Sequence, residues 1–154
     1  MRGACDNRRM ALLSAADQQA LRDAFGAMTR PVTILFFTQA IGCETCAETR
    51  QILNELTEVS TQVTIEEVNL VLEGERAASY GIDRAPGLVL LAGEEKADTR
   101  IRMLGAPAGY DFMSLVDAIL LVSDGSPQRL SDATEARLAG VTEPISVQVF
   151  VTPT

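Results

Sequence analysis

The sequence predicts a layered α/β fold with a parallel part and an antiparallel part, and three observations carry that expectation. Val32 to Phe37 is a β-branched and aromatic run with apolar residues on both faces, as in a central buried strand that helices must cover on both sides. A β-rich segment, Leu88 to Leu91, is followed by a Gly-Glu-Glu turn and a second β-rich segment, Thr99 to Leu104, which predicts a hairpin. Between and after these strands lie segments whose apolar residues recur every three to four positions, the period of a helix with one buried face.

In chain order, Ser14-Ala15-Ala16-Asp17 reads as a relaxed capping box opening a helix with Leu21, Ala24, Phe25 and Met28 on its apolar face, stopped at Arg30-Pro31. The strand Val32 to Phe37 follows. A helix with Leu53, Leu56 and Val59 on one face is expected to run to about Ser60, and Val63 to Leu70 alternates as a second strand. Glu73 to Tyr80 makes a short helix closed by Gly81. The hairpin comes next, and Gly105-Ala106-Pro107-Ala108-Gly109 then leads into a helix from about Tyr110 to Val122, with Phe112, Leu115, Val116, Ile119 and Leu120 on its stripe.

Composition narrows the chemistry. The chain has 154 residues, 47% hydrophobic, enough for one domain with a proper core. A formal charge of −8 disfavours nucleic acid and anionic membrane as partners, because both rely on clustered Lys and Arg. With no histidine, neither a Ser-His-Asp triad nor a His-ligated metal site can be assembled. No apolar run is long enough to cross a bilayer and the start lacks a signal-peptide core, so a cytoplasmic protein is expected. Three cysteines are too few and too odd a number for a disulfide-stapled secreted scaffold. Cys5, in a polar tail, reads as an incidental thiol.

The other two cysteines form Cys43-Glu44-Thr45-Cys46, a C-x-x-C at a strand-to-helix junction. Backbone N–H groups and the macrodipole at a first helical turn favour an anion, so a thiol there ionises more readily. Cys43 is the expected nucleophile. Cys46, one turn further in on the same face, is the expected resolving thiol, which attacks a mixed disulfide formed at Cys43. Half of a zinc or iron–sulfur site is the competing reading, but it needs ligands from a second chain. A structural disulfide is another, but so short a loop stabilises little. No metal and no cofactor are expected.

The beginning of the chain recurs near its end. Pro31-Val32-Thr33-Ile34-Leu35-Phe36-Phe37-Thr38 resembles Pro144-Ile145-Ser146-Val147-Gln148-Val149-Phe150-Val151, each preceded by a short helix with a serine N-cap, Ser14 and Ser131. The expected organisation is therefore a tail over 1–13, one domain over 14–123, and over 124–154 a linker, a helix and the first strand of a truncated second unit. Because that strand lacks its own module, it is expected to pair with the first sheet or to join copies of the chain.

With the C-x-x-C, the Ala85-Pro86 step and the Gly105 to Gly109 approach to the last helix in place, the chain resembles the glutaredoxin-like protein disulfide oxidoreductases, which carry two thioredoxin-fold units in tandem. The resemblance spans about Ser14 to Val122, with Ser131 to Thr154 matching the start of the second unit. It implies a thioredoxin-like fold: a central mixed four-stranded sheet, helices on both faces and an extra N-terminal helix. It also implies dithiol–disulfide exchange through Cys43 and Cys46, and a cis-proline at Pro86 that helps hold substrate together with Ala85. Arg84 is placed to meet an anionic thiol such as glutathione, although an exposed arginine in a turn is the commoner case.

Glu44-Thr45 departs from the residues often found between the two cysteines. The Glu44 charge opposes thiolate formation, so a moderately reactive thiol is expected. Gly87 stands where a bulkier residue is common, and the proton acceptor for Cys46 is unassigned. The implied partners are disulfide-containing protein substrates, with a dithiol or flavoprotein reductase as electron donor. The alternative is a non-catalytic or electron-relay module of a larger redox system.

Overall fold

In the computed structural model of the chain, which describes residues 11–126 and 130–151, Ser14 caps the first helix, α1 (Ala15–Phe25). Its hydroxyl accepts from the Asp17 N–H and the Asp17 carboxylate accepts from the Ser14 N–H, a reciprocal box that satisfies two end donors. The helix ends at Phe25, short of Met28, because Ala27 and Met28 turn back onto Ala24 and Phe25 in tighter three-residue bonds. Cys5 and most of the 1–13 tail lie outside the described residues.

The chain then builds β1 (Val32–Thr38), crosses over through α2 (Cys46–Val59) and returns as β2 (Val63–Asn69), parallel to β1. After α3 (Gly74–Ser79), the hairpin of β3 (Gly87–Ala92) and β4 (Ala97–Leu104) lays β3 antiparallel against the other side of β1. The sheet order is β2-β1-β3-β4, and α4 (Tyr110–Asp124) closes the domain. This is the mixed four-stranded, thioredoxin-like α/β fold that the resemblance implies.

Side-chain alternation in β1 feeds two cores, one on each face of the sheet. Val32, Ile34 and Phe36 pack with Leu53 and Leu56 of α2 and with Leu115 and Ile119 of α4, and α1 adds Leu21 and Phe25. Leu35 and Phe37 meet Val68, Val89, Ile82 and Ala77 of α3 on the opposite face. Phe36 and Phe37 are fully buried, each contributing about 2–3 kcal/mol by area removed from water.

Two polar fixtures hold the periphery. The buried Ser123 hydroxyl near the end of α4 accepts from the N–H groups of Thr29 (3.0 Å) and Arg30 (3.3 Å) and donates to the Arg30 carbonyl (2.9 Å). Arg30 Nε in turn donates to the Val122 carbonyl, closing the α1–β1 turn onto α4. On the other side, the Glu55 carboxylate of α2 accepts from the N–H groups of Leu12 and Leu13, both at 2.8 Å, and from the Gln51 amide.

The C-terminal segment departs from expectation. Ser131 does cap a helix, α5 (Asp132–Leu138), but Ile145 to Val151 form no strand. Both sides of β1 are already occupied and the segment pairs with neither edge of the sheet, so its N–H and C=O groups have no neighbouring strand to define one. Its apolar side chains, Ile145, Val147, Val149, Phe150 and Val151, are between 61% and 89% exposed. Among the described residues, no helix is long and apolar enough to cross a membrane.

Candidate active site

The two parallel strands end together, Thr38 opposite Asn69, and the antiparallel register places Gly87 opposite Phe37. The β1–α2 loop and the Ala85-Pro86 step are therefore at the same end of the sheet. This is the crevice beyond the carboxyl ends of the parallel strands, where α/β sheets place their sites.

Cys43 and Cys46 are joined here by a disulfide, with their Cα atoms 5.4 Å apart. The helix starts one turn later than the sequence suggests. Thr45 is the N-cap and Cys46 the first helical residue, so Cys43 lies just ahead of the first turn rather than inside it. The reason is local: the Thr45 carbonyl takes the first helical bond, from the Thr49 N–H (2.9 Å), and also accepts from the Thr49 hydroxyl (2.9 Å). Cys43 is half-buried, whereas Cys46 is only 4% exposed and belongs to the apolar core. An outside reactant meets Cys43 first. Glu44 and Thr45 between them are exposed.

A cleft of about 450 Å³ opens beside the bridge. Cys43, Cys46 and Thr38 line it, and its far wall carries Arg50, Glu67 and Glu73. Arg50, one turn along α2 from Cys46, donates from Nε and Nη2 to the two Glu67 oxygens at 2.6 and 3.0 Å, and stacks over the Phe36 ring at 5.7 Å. The Glu67 hydrogen bond raises the Arg50 guanidinium above its already high ordinary pKa, so the cation is permanent. Glu73 accepts from the Asn69 N–H and pairs with Arg76, which also holds Glu66. Glu66 and Glu67 are half-exposed partners in ion pairs.

The Ala85–Pro86 peptide bond is cis. Pro86 is buried, and Ala85 packs on the same apolar cluster as Cys43 and Cys46. Arg84 is exposed and spends Nε and Nη2 on the Asp83 carboxylate at 2.8 and 3.0 Å. An anionic ligand would compete with that carboxylate for the guanidinium. Gly87 has a steric cause: a Cβ there would stand 2.9 Å from Ile82 Cγ2 and 3.2 Å from the Arg84 carbonyl oxygen.

The structure thus brings Cys43, Cys46 and Ala85 together and leaves Arg84 paired outside the cleft. The residues that sequence reasoning missed are Thr38, Arg50 and Glu67. Two signals pointed to the first two: Thr38 shares strand parity with Phe36, and Arg50 lies four residues after Cys46 on the same helix. Among the described residues, no group of three or more Cys, Asp or Glu side chains converges as a metal site would require.

No protein-family model matches the chain. The alkyl hydroperoxide reductase AhpF of Staphylococcus epidermidis is 34% identical over 107 residues, which is 70% of this chain and 18% of that protein. The structure of AhpF from Enterococcus faecalis superposes with a TM-score of 0.72 at 28% identity, covering 83% of this chain and 60% of that one. A protein disulfide oxidoreductase from Aeropyrum pernix superposes with a TM-score of 0.69 at 26% identity, covering 82% and 54%. The chain spans less than a fifth of the length of the curated relatives it matches.

Proposed function

We propose that this chain, a homologue of the tandem thioredoxin-fold proteins represented by the protein disulfide oxidoreductases and the N-terminal domain of the alkyl hydroperoxide reductase AhpF, exchanges disulfides with protein substrates through Cys43 and Cys46. The observation that carries this reading is the accessibility gradient across the bridge, with Cys43 half-buried at the cleft and Cys46 sealed in the core. In the reducing direction, the Cys43 thiolate bonds to one sulfur of a substrate disulfide and the other substrate sulfur leaves with the electron pair. Cys46, deprotonated, then attacks Cys43 Sγ; the Cys43–Cys46 bond forms, and the second substrate sulfur departs and takes up a proton. Substrate is reduced by two electrons and the dithiol is oxidised by two.

Ala85, Pro86 and Arg84 are proposed to hold the substrate, Arg84 after exchanging Asp83 for a substrate anion, and Glu44 and Thr45 to moderate the reactivity of Cys43. The similarity to AhpF favours a second reading, an electron-relay module whose dithiol is recharged by a flavoprotein reductase. The two separate in one assay: equilibration with a dithiol buffer, followed by reduction of a model protein disulfide such as insulin. Exchange with both supports an oxidoreductase. A bridge that opens in buffer but leaves the protein disulfide untouched supports the relay.

We also infer that residues 14–123 are the working unit and that 124–154 begin a second unit whose exposed apolar segment joins copies of the chain.

A further inference from the structure

Opening the Cys43–Cys46 bridge sends an electron pair onto a sulfur with little access to water. When a donor thiolate bonds to Cys43 Sγ, the disulfide breaks and Cys46 leaves as thiolate, 4% exposed among Phe36, Leu53 and Leu88. An anion in apolar surroundings is costly unless a donor meets it.

Two donors on α2 beside Cys46 are engaged elsewhere, and the Gln39 and Asn69 amides that also line the cleft are only half-buried. The Thr49 hydroxyl, three residues along α2, donates to the Thr45 carbonyl, and Arg50 spends Nε and Nη2 on Glu67. Thr38 is different. It is 7% exposed, and its Oγ1 is buried with no hydrogen-bond partner among the described residues. Its place is fixed, since its carbonyl accepts from the Leu70 N–H at 2.8 Å and its Cα pairs with Asn69. Strand parity puts its side chain with those of Val32, Ile34 and Phe36, on the face that α2 covers and Cys46 joins. Thr38, Cys43 and Cys46 line the same cleft. A buried hydroxyl without a partner, ending a strand that is otherwise almost wholly apolar, is a cost that needs a compensating state.

We propose that the Thr38 hydroxyl donates a hydrogen bond to Cys46 Sγ when the bridge opens, stabilising the departing thiolate and then the dithiol, and is unsatisfied only while the bridge is closed. Electrons and atoms balance with an external dithiol as reductant. Its first sulfur bonds to Cys43, Cys46 leaves, and its second sulfur displaces Cys43 to form the donor's own disulfide. Its two protons pass through solvent to Cys43 and Cys46. Thr38 shares its proton in a hydrogen bond and gives up neither proton nor electron. The charged groups lining the same cleft, Arg50, Glu67 and Glu73, are retained in every variant below.

The inference rests on the proposed exchange at Cys43 and Cys46, so wild type is measured first. The full chain is equilibrated with reduced and oxidised dithiothreitol at pH 7 and pH 9.5, quenched with an alkylating agent and weighed. If the wild-type bridge does not equilibrate, the exchange reading fails. If it does, Thr38→Val should shift the equilibrium toward the disulfide about 3- to 10-fold at pH 7, and further at pH 9.5, where thiolate is the species stabilised. Thr38→Ser, which keeps the hydroxyl, should stay within about 2-fold of wild type.

Melting gives a second readout. Oxidised Thr38→Val should melt at or above oxidised wild type, because it removes an unsatisfied buried group, whereas the reduced variant should melt below reduced wild type. A purely structural threonine would move both forms alike. Should Thr38→Val not fold, Thr38→Ala carries the same expectation for the dithiothreitol equilibrium. An equilibrium unchanged from wild type at both pH values, or one shifted equally by Thr38→Ser, overturns the inference.

Discussion

At the scale of single residues, the two cysteines differ in burial, and that difference orders the chemistry. Cys46→Ser should leave Cys43 as a free nucleophile with no internal thiol to release it, so mixed disulfides accumulate and are seen by non-reducing electrophoresis. Cys43→Ser should accumulate none; equal trapping by both variants would reverse the assigned roles. Gly87 supports the same site sterically. A methyl group at 2.9 Å from Ile82 Cγ2 can push a side chain aside, but the Arg84 carbonyl at 3.2 Å is backbone and yields less. Gly87→Ala is expected to cost about 1–3 kcal/mol in a denaturant melt, the usual range for an overpacked position. Both cysteines were legible from spacing alone. Thr38 was not, because a threonine ending a β-rich run looks like any strand residue until parity and burial show which core its hydroxyl enters.

At the scale of elements, pattern and capping chemistry located nearly every helix and strand within about two residues. The start of α2 was missed because C-x-x-C spacing suits a helix beginning at either cysteine. The Thr49 hydroxyl, one turn further along the same helix, joins its own N–H on the Thr45 carbonyl and makes Cys46 the first helical residue. The attachment of the N-terminal segment to α2 was equally invisible, since Glu55 reads as one more solvated glutamate. Burial opposes its ionisation, but the Leu12 and Leu13 N–H groups and the Gln51 amide outweigh that and hold its pKa below the ordinary glutamate value. A group depressed in the folded state stabilises fully above its unfolded pKa and loses that contribution as pH falls through the folded value. Glu55→Ala should therefore lower stability by about 2–3 kcal/mol at neutral pH, the range for hydrogen bonds to a charged group, and the gap to wild type should narrow on the acid side of the ordinary glutamate range. Urea melts at pH 7 and pH 3.5 measure it; a gap independent of pH would mean that packing, not charge, makes the attachment.

At the scale of the molecule, a mixed four-stranded sheet was legible because one crossover gives a parallel pair and one hairpin an antiparallel pair, while the order β2-β1-β3-β4 came from the structure. The C-terminal segment did not follow. Its resemblance to β1 foretold β-strand composition, but a strand needs a neighbour, and composition supplies none. Removing residues 130 to 154 leaves α4 and its Gly125 cap in place. Dithiol exchange should then be unchanged, and concentration-dependent light scattering of the full chain should disappear; a full chain monomeric at all concentrations would show that the segment joins no copies. Ser123, 94 residues from Thr29 in sequence, makes one hydroxyl a shared fastening for the first turn and the last helix of the domain. Amide hydrogen exchange should register this fastening. The Thr29 and Arg30 amides sit in a surface turn, yet their protons can trade with deuterium only when α4 lets go, so their slow exchange should track that of the α4 amides as a single opening event.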